Sequence, residues 1–147
     1  MSTTSPARVL VAEDNPQGAE LLEAYVTGGG YDVRTAADGE STLKLVREWK
    51  PDLILLDVMM PKLSGFEVCK RLKADPATRD IAVMMVTALD QPSDVERAVE
   101  VGTNDFLTKP INKTDLLLRI KSMLATRRGK EPADTIDYIN AVQQGGR

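Results

Sequence analysis

The chain has 147 residues, 42% of them hydrophobic and 28% charged, with a formal net charge of −3. That composition is one soluble globular domain with a modest tail, and its acidic balance argues against a nucleic-acid-binding surface. It contains no histidine and one cysteine, Cys69, which excludes Ser-His-Asp and Cys-His catalysis, histidine-containing zinc sites, a phosphohistidine carried here and an internal disulfide.

Arg8 to Ala12 reads as a first buried strand, followed by Asn15-Pro16 as the N-cap and first residue of a helix. Leu21, Leu22, Tyr25 and Val26 form the apolar stripe of that helix, and Gly28-Gly29-Gly30 stops it. Tyr31 to Ala36 is a weaker second strand, Asp38-Gly39 a turn, and Leu43, Val46 and Trp49 mark a second helix that Pro51 breaks. Asp52 to Leu56 is a central strand, apolar on both faces as a parallel strand must be. Phe66, Cys69 and Leu72 mark a third helix, Ile81 to Val86 a fourth strand, and Val95, Ala98 and Val99 a fourth helix. Asp105-Phe106-Leu107 is a short fifth strand, and Leu116, Leu117, Ile120 and Leu124 are the core stripe of a fifth helix.

Five strands and five helices in strict alternation predict an α/β domain over residues 7–127, with a parallel sheet between helices. Residues 1–6 are expected to be a flexible N-terminus without the features of a secretion signal, and no apolar run is long enough to span a membrane, so a cytoplasmic location is expected. Residues 128–147 are a linker and tail in which Ile136, Ile139 and Val142 could form a short amphipathic helix.

In an open parallel sheet a ligand site lies beyond the carboxyl ends of the strands. Glu13, Asp14 and Asn15 follow the first strand, Asp57 the third, Thr87 and Ala88 the fourth, and Lys109 and Pro110 the fifth. Three carboxylates gathered there repel one another unless a cation neutralises them, and Mg²⁺ takes such oxygen ligands readily. Asp14 and Asp57 are the expected direct ligands, the backbone carbonyl of Met59 completes the set, and Glu13 acts directly or through a water. If Asp57 accepted a phosphoryl group, the metal, Lys109 and Thr87 would each engage one of its oxygens, and small Ala88 would leave room for an in-line donor.

Each of these residues also has a plain reading, as a turn residue, a helix cap or a solvated charge; their coincidence at successive strand ends is what points to a site. A flavodoxin-like nucleotide binder would want a phosphate loop after strand one, where this chain has the acidic Glu13-Asp14. A haloacid-dehalogenase-type phosphatase would want a second Asp two residues beyond the nucleophile, where this chain has Met59.

The segments Val11-Ala12-Glu13-Asp14-Asn15, Pro51 to Asp57, Met60-Pro61 with Gly65, Val86-Thr87-Ala88 and Asp105 to Pro110 together resemble the receiver domain of two-component response regulators, over roughly residues 7–127. The resemblance implies a CheY-like, flavodoxin-like doubly wound sheet of strand order 2-1-3-4-5. It implies phosphorylation at Asp57 from a sensor histidine kinase or histidine phosphotransfer protein, with Glu13, Asp14, Asp57 and Met59 holding Mg²⁺. Thr87 and Phe106 would be the switch pair; an aromatic in a short strand is more often plain core, and the switch role rests on the position of Phe106 three residues before Lys109. A cis peptide would follow Lys109. The signal would leave through the face of the fourth helix, fifth strand and fifth helix, toward a downstream protein or another copy of the chain. On this reading the chain is a signalling switch rather than an enzyme with a turnover substrate. Two forms are left open, a stand-alone receiver and a piece of a longer protein such as a diguanylate cyclase; the alternative from another class is a receiver-like scaffold that no longer takes phosphate.

Overall fold

The computed structural model describes residues 5–126; most of the expected N-terminal stretch and all of the expected tail lie outside them. Five βα units follow in order: β1 (Arg8–Ala12), α1 (Pro16–Gly28), β2 (Asp32–Ala36), α2 (Gly39–Trp49), β3 (Leu53–Leu56), α3 (Gly65–Ala74), β4 (Ala82–Thr87), α4 (Pro92–Glu100), β5 (Asp105–Thr108) and α5 (Lys113–Thr126). All pairings are parallel, in the order β2-β1-β3-β4-β5, as the resemblance implies.

The two-residue period of each strand sorts its side chains into two cores. Leu10, Ile54, Leu56, Val83 and Met85 join Val46, Trp49, Phe66, Cys69, Leu72 and Ala98 on the face covered by α2, α3 and α4. Val9, Val11, Leu53, Leu55, Met84 and Val86 join Leu22, Val26, Leu116, Ile120 and Met123 under α1 and α5. The four residues of β3 are buried throughout, which is why its sequence is continuously apolar rather than alternating.

Short polar side chains start the helices. Asn15 Oδ1 accepts from Gly18 N–H at 2.8 Å, Asp38 Oδ1 from Ser41 N–H at 2.7 Å, and Asn112 Oδ1 from Asp115 N–H at 2.9 Å. Asp38-Gly39, read from sequence as a turn, is thus the N-cap and first residue of α2. The fourth strand also runs one residue further than its apolar pattern suggests and includes Thr87.

Two polar features lie away from the carboxyl ends of the strands, one on the β1–β2 side of the sheet and one at the start of β5. Trp49, the single tryptophan of the chain, is 5% exposed and lies between Arg8 and Arg34, whose guanidinium carbons stand 5.7 and 5.1 Å from the ring centroid. Asp105, at the start of β5, is fully buried. Its Oδ1 accepts from Arg119 of α5 at 3.0 Å and from Phe106 N–H at 2.8 Å, while Oδ2 has no hydrogen-bond partner among the described residues. Burial pushes the Asp105 carboxyl up to about 6 in spite of Arg119.

Candidate functional site at the strand ends

The ladders run one residue past their strands and so fix the site. Asp57 N–H donates to Ala12 O at 3.0 Å, which places Asp57 beside Glu13 where the chain leaves β1 and β3 for helices on opposite faces of the sheet. That divergence is the switch point of the winding, the position at which open α/β sheets bind their ligands. Lys109 N–H donates to Thr87 O at 2.9 Å and sets the lysine at the end of β5 next to Thr87. The Lys109-Pro110 peptide is cis, as the resemblance implies.

From there the Lys109 side chain crosses the cleft. Its Nζ lies 2.5 Å from Glu13 Oε1 and 3.1 Å from Asp57 Oδ2. Glu13 and Asp57 are buried and Asp14 is exposed, and the three offer carboxylate oxygens within 4.8 Å of one another. Glu13 Oε2 accepts from Asn15 N–H at 3.2 Å, and Asp57 Oδ1 from Met59 N–H at 3.1 Å. The sequence reading did not single out these two amides as anchors, although a backbone N–H two residues after an acid is a recurrent turn partner.

Burial raises the Glu13 carboxyl above the ordinary carboxylate range, and the Asp57 charge adds to this against the bonds from Lys109 and Asn15. Burial works the other way on Lys109, but its bonds to Glu13 and Asp57 outweigh it and hold the ammonium above its ordinary value. Lys109 is therefore charged throughout the neutral range. An all-oxygen set of two buried acids and one exposed acid fits a hard divalent cation and offers nothing to a soft one.

The other sequence candidates take different places. Thr87 is fully buried, with Oγ1 accepting from Leu89 N–H at 3.4 Å. Phe106 is 2% exposed, pairs in register with Met85, and packs in the core under α2, α3 and α4. Met59 is 61% exposed beside the acids. Gly65 at the start of α3 lies so close to the residues just after β3 that an added Cβ would stand 2.2 Å from Asp57 O.

Comparison with known proteins assigns the chain to a family. The family model "Response regulator receiver domain" matches residues 9–121. Response regulator PleD of Caulobacter vibrioides is 48% identical over 117 residues, which are 80% of this chain and 26% of that protein. The DNA-binding dual master transcriptional regulator RpaA of Synechocystis is 41% identical over 138 residues, 94% of this chain and 56% of RpaA. The chain thus spans between a quarter and just over half the length of these relatives. Among solved structures, the receiver domain of a signal transduction histidine kinase from Syntrophus aciditrophicus superposes with a TM-score of 0.78 at 34% identity, covering 85% of this chain and 95% of that one. Vibrio cholerae chemotaxis protein CheY4 gives 0.75 at 29% identity, covering 80% and 98%. The chain belongs to the response regulator receiver domain family.

Proposed function

We propose that Asp57 accepts a phosphoryl group from a phosphohistidine on a separate kinase or phosphotransfer protein, and that the domain works as a Mg²⁺-dependent switch. The observation that carries this reading is Lys109 Nζ bridging Glu13 and Asp57, with Asp14 within reach of both. A carboxylate oxygen of Asp57 attacks phosphorus and the P–N bond to the donor imidazole breaks. The imidazole leaves with the bonding pair and takes a proton from solvent. Glu13, Asp14, Asp57 and the Met59 carbonyl would hold Mg²⁺, which when bound offsets negative charge as it shifts among the phosphoryl oxygens. Lys109 is already charged and aimed at Asp57, so it costs little reorganisation when the phosphoryl group arrives. Thr87 supplies a hydroxyl from the end of β4.

Phosphorylation biases a two-state equilibrium. On this reading the Thr87 hydroxyl turns toward the phosphoryl group, beside a Phe106 ring that is already packed inward here, and the face of α4, β5 and α5 changes what it binds. The net charge of −3 favours protein contacts, to a downstream protein or a second copy, over nucleic acid as the output of this domain, in the cytoplasm. Among the described residues no helix is long and apolar enough to cross a membrane.

The test is incubation of the 147-residue chain with a small phosphodonor and Mg²⁺, followed by intact mass and a sizing column. A single acid-stable, base-labile phosphoryl adduct is expected on wild type and none on Asp57→Asn. No adduct on wild type would leave the receiver-like scaffold as the better reading; an equal adduct on Asp57→Asn would move the acceptor elsewhere.

A further inference from the structure

The loop between β3 and α3, residues 57–64, carries both the acceptor and the Met59 carbonyl, and it is clasped from outside the site by the first turn of α2. Gly39, the first residue of that helix, shows what the clasp demands. Gly39 does not have a left-handed φ, so backbone conformation does not require glycine there. Helix propensity would favour alanine by up to about 1 kcal/mol. Space is what excludes it: a Cβ on Gly39 would stand 2.4 Å from Leu63 Cβ and 2.6 Å from Leu63 O.

Three further contacts converge on the same lobe. Gly39 N–H, which a first-turn residue would otherwise leave without a partner, donates to Pro61 O at 3.4 Å. Leu63 packs against the core under α2, α3 and α4. Lys62, held at φ 72, points its ammonium back at Asp38 and Glu40, 3.7 and 3.8 Å away. The inner side of the loop is tied by Gly65 N–H to Val58 O at 2.8 Å and by Met59 N–H to Asp57 Oδ1. The loop that carries Met59 is therefore held on both sides, at Val58 and Met59 by contacts within and at Pro61 to Leu63 by α2 without.

We propose that Gly39 and Leu63 are positioning residues for the cation. The close seat of the loop on α2 holds the Met59 carbonyl where it completes the oxygen set with Asp14 and Asp57. The inference rests on the Mg²⁺ reading above and assigns a remote determinant of its affinity. A methyl group at Gly39 meets loop backbone as well as side chain, so the loop must shift by about 1 Å to restore ordinary contact. Trimming Leu63 cannot relieve the contact with its carbonyl.

The experiment measures Mn²⁺ binding by the loss of the free-ion EPR signal in the 147-residue chain, beside the cation-free unfolding midpoint. Gly39→Ala is expected to weaken binding about tenfold, the lower end for a residue supporting a metal ligand. Its phosphorylation by a small donor is expected to need correspondingly more Mg²⁺ and to recover the wild-type rate at saturation. Leu63→Ala, which leaves α2 unaltered, shifts the affinity in the same direction and serves if Gly39→Ala does not fold. Gly39→Ala or Leu63→Ala folded with unchanged affinity overturns the clasp, as does a lowered saturating rate at unchanged affinity. Wild type without Mn²⁺ binding, or Asp14→Asn with full binding, sinks the metal reading and the clasp together. Binding lost in Asp14→Asn but intact in Gly39→Ala sinks the clasp alone.

Discussion

Asp105→Asn is expected to change how the stability of the fold depends on pH. Burial places the Asp105 carboxyl at about 6 in the folded chain, against about 3.9 in an unfolded one. Below pH 4 both states hold the proton and the group is neutral. Between pH 4 and 6 the unfolded state releases its proton while the folded state keeps it, so stability falls as pH rises. Two pKa units amount to about 3 kcal/mol, and that penalty is fully present above the folded value. The structural origin is visible: one oxygen is bonded to Arg119 and Phe106 N–H, and the other has no hydrogen-bond partner among the described residues. Asparagine keeps the shape and an acceptor for Phe106 N–H but never ionises. Urea unfolding of both proteins at pH 4, 5, 6 and 7 gives the difference curve, in which other titrating groups cancel. The variant should gain about 3 kcal/mol relative to wild type between pH 4 and 7. A flat difference would mean that Arg119 keeps Asp105 ionised across the window, and the reasoning from burial would be wrong.

Gly65→Ala places a methyl group against Asp57 O and Val58 Cα, so the acceptor must move; phosphorylation by a small donor is expected to slow about 100-fold, measured by intact mass over time. Cys69, its thiol pushed up to about 12 chiefly by burial, should resist a thiol reagent at pH 8 until the chain unfolds; rapid stoichiometric labelling in native buffer would contradict its packing. Mg²⁺ at about 100 times its Kd should raise unfolding stability by about 3 kcal/mol, an increment that disappears in Asp14→Asn and on chelation in wild type.

The fold was legible because each level of the sequence agreed with the next. Leu53-Ile54-Leu55-Leu56 could only be a doubly covered strand, and Asn15-Pro16 could start a helix at one place. Glu13, Asp14, Asp57 and Lys109 were legible as a group because parallel strands deliver the residues after them to a common edge. Contacts between distant loops were not. Nothing local distinguishes Gly39 in an Asp-Gly pair from a turn glycine, since its constraint comes from Leu63, 24 positions on and on a different unit. Asp105 likewise reads as an ordinary polar residue opening a strand; only the arrival of α5 buries it and brings Arg119 to one of its oxygens.

The arginine-flanked Trp49 gives the molecule an internal fluorophore with a restricted field of view. It stands beside Arg8, at the start of β1, whereas Glu13 lies just past that strand's other end, about 16 Å away at the rise of a parallel strand. Its emission therefore reports whether β1, β2 and the end of α2 hold together, and occupancy of the acidic cleft should leave it almost unchanged. A titration followed at Trp49 reads the scaffold while one followed at the cleft reads the ligand, so a single sample separates loss of binding from loss of structure.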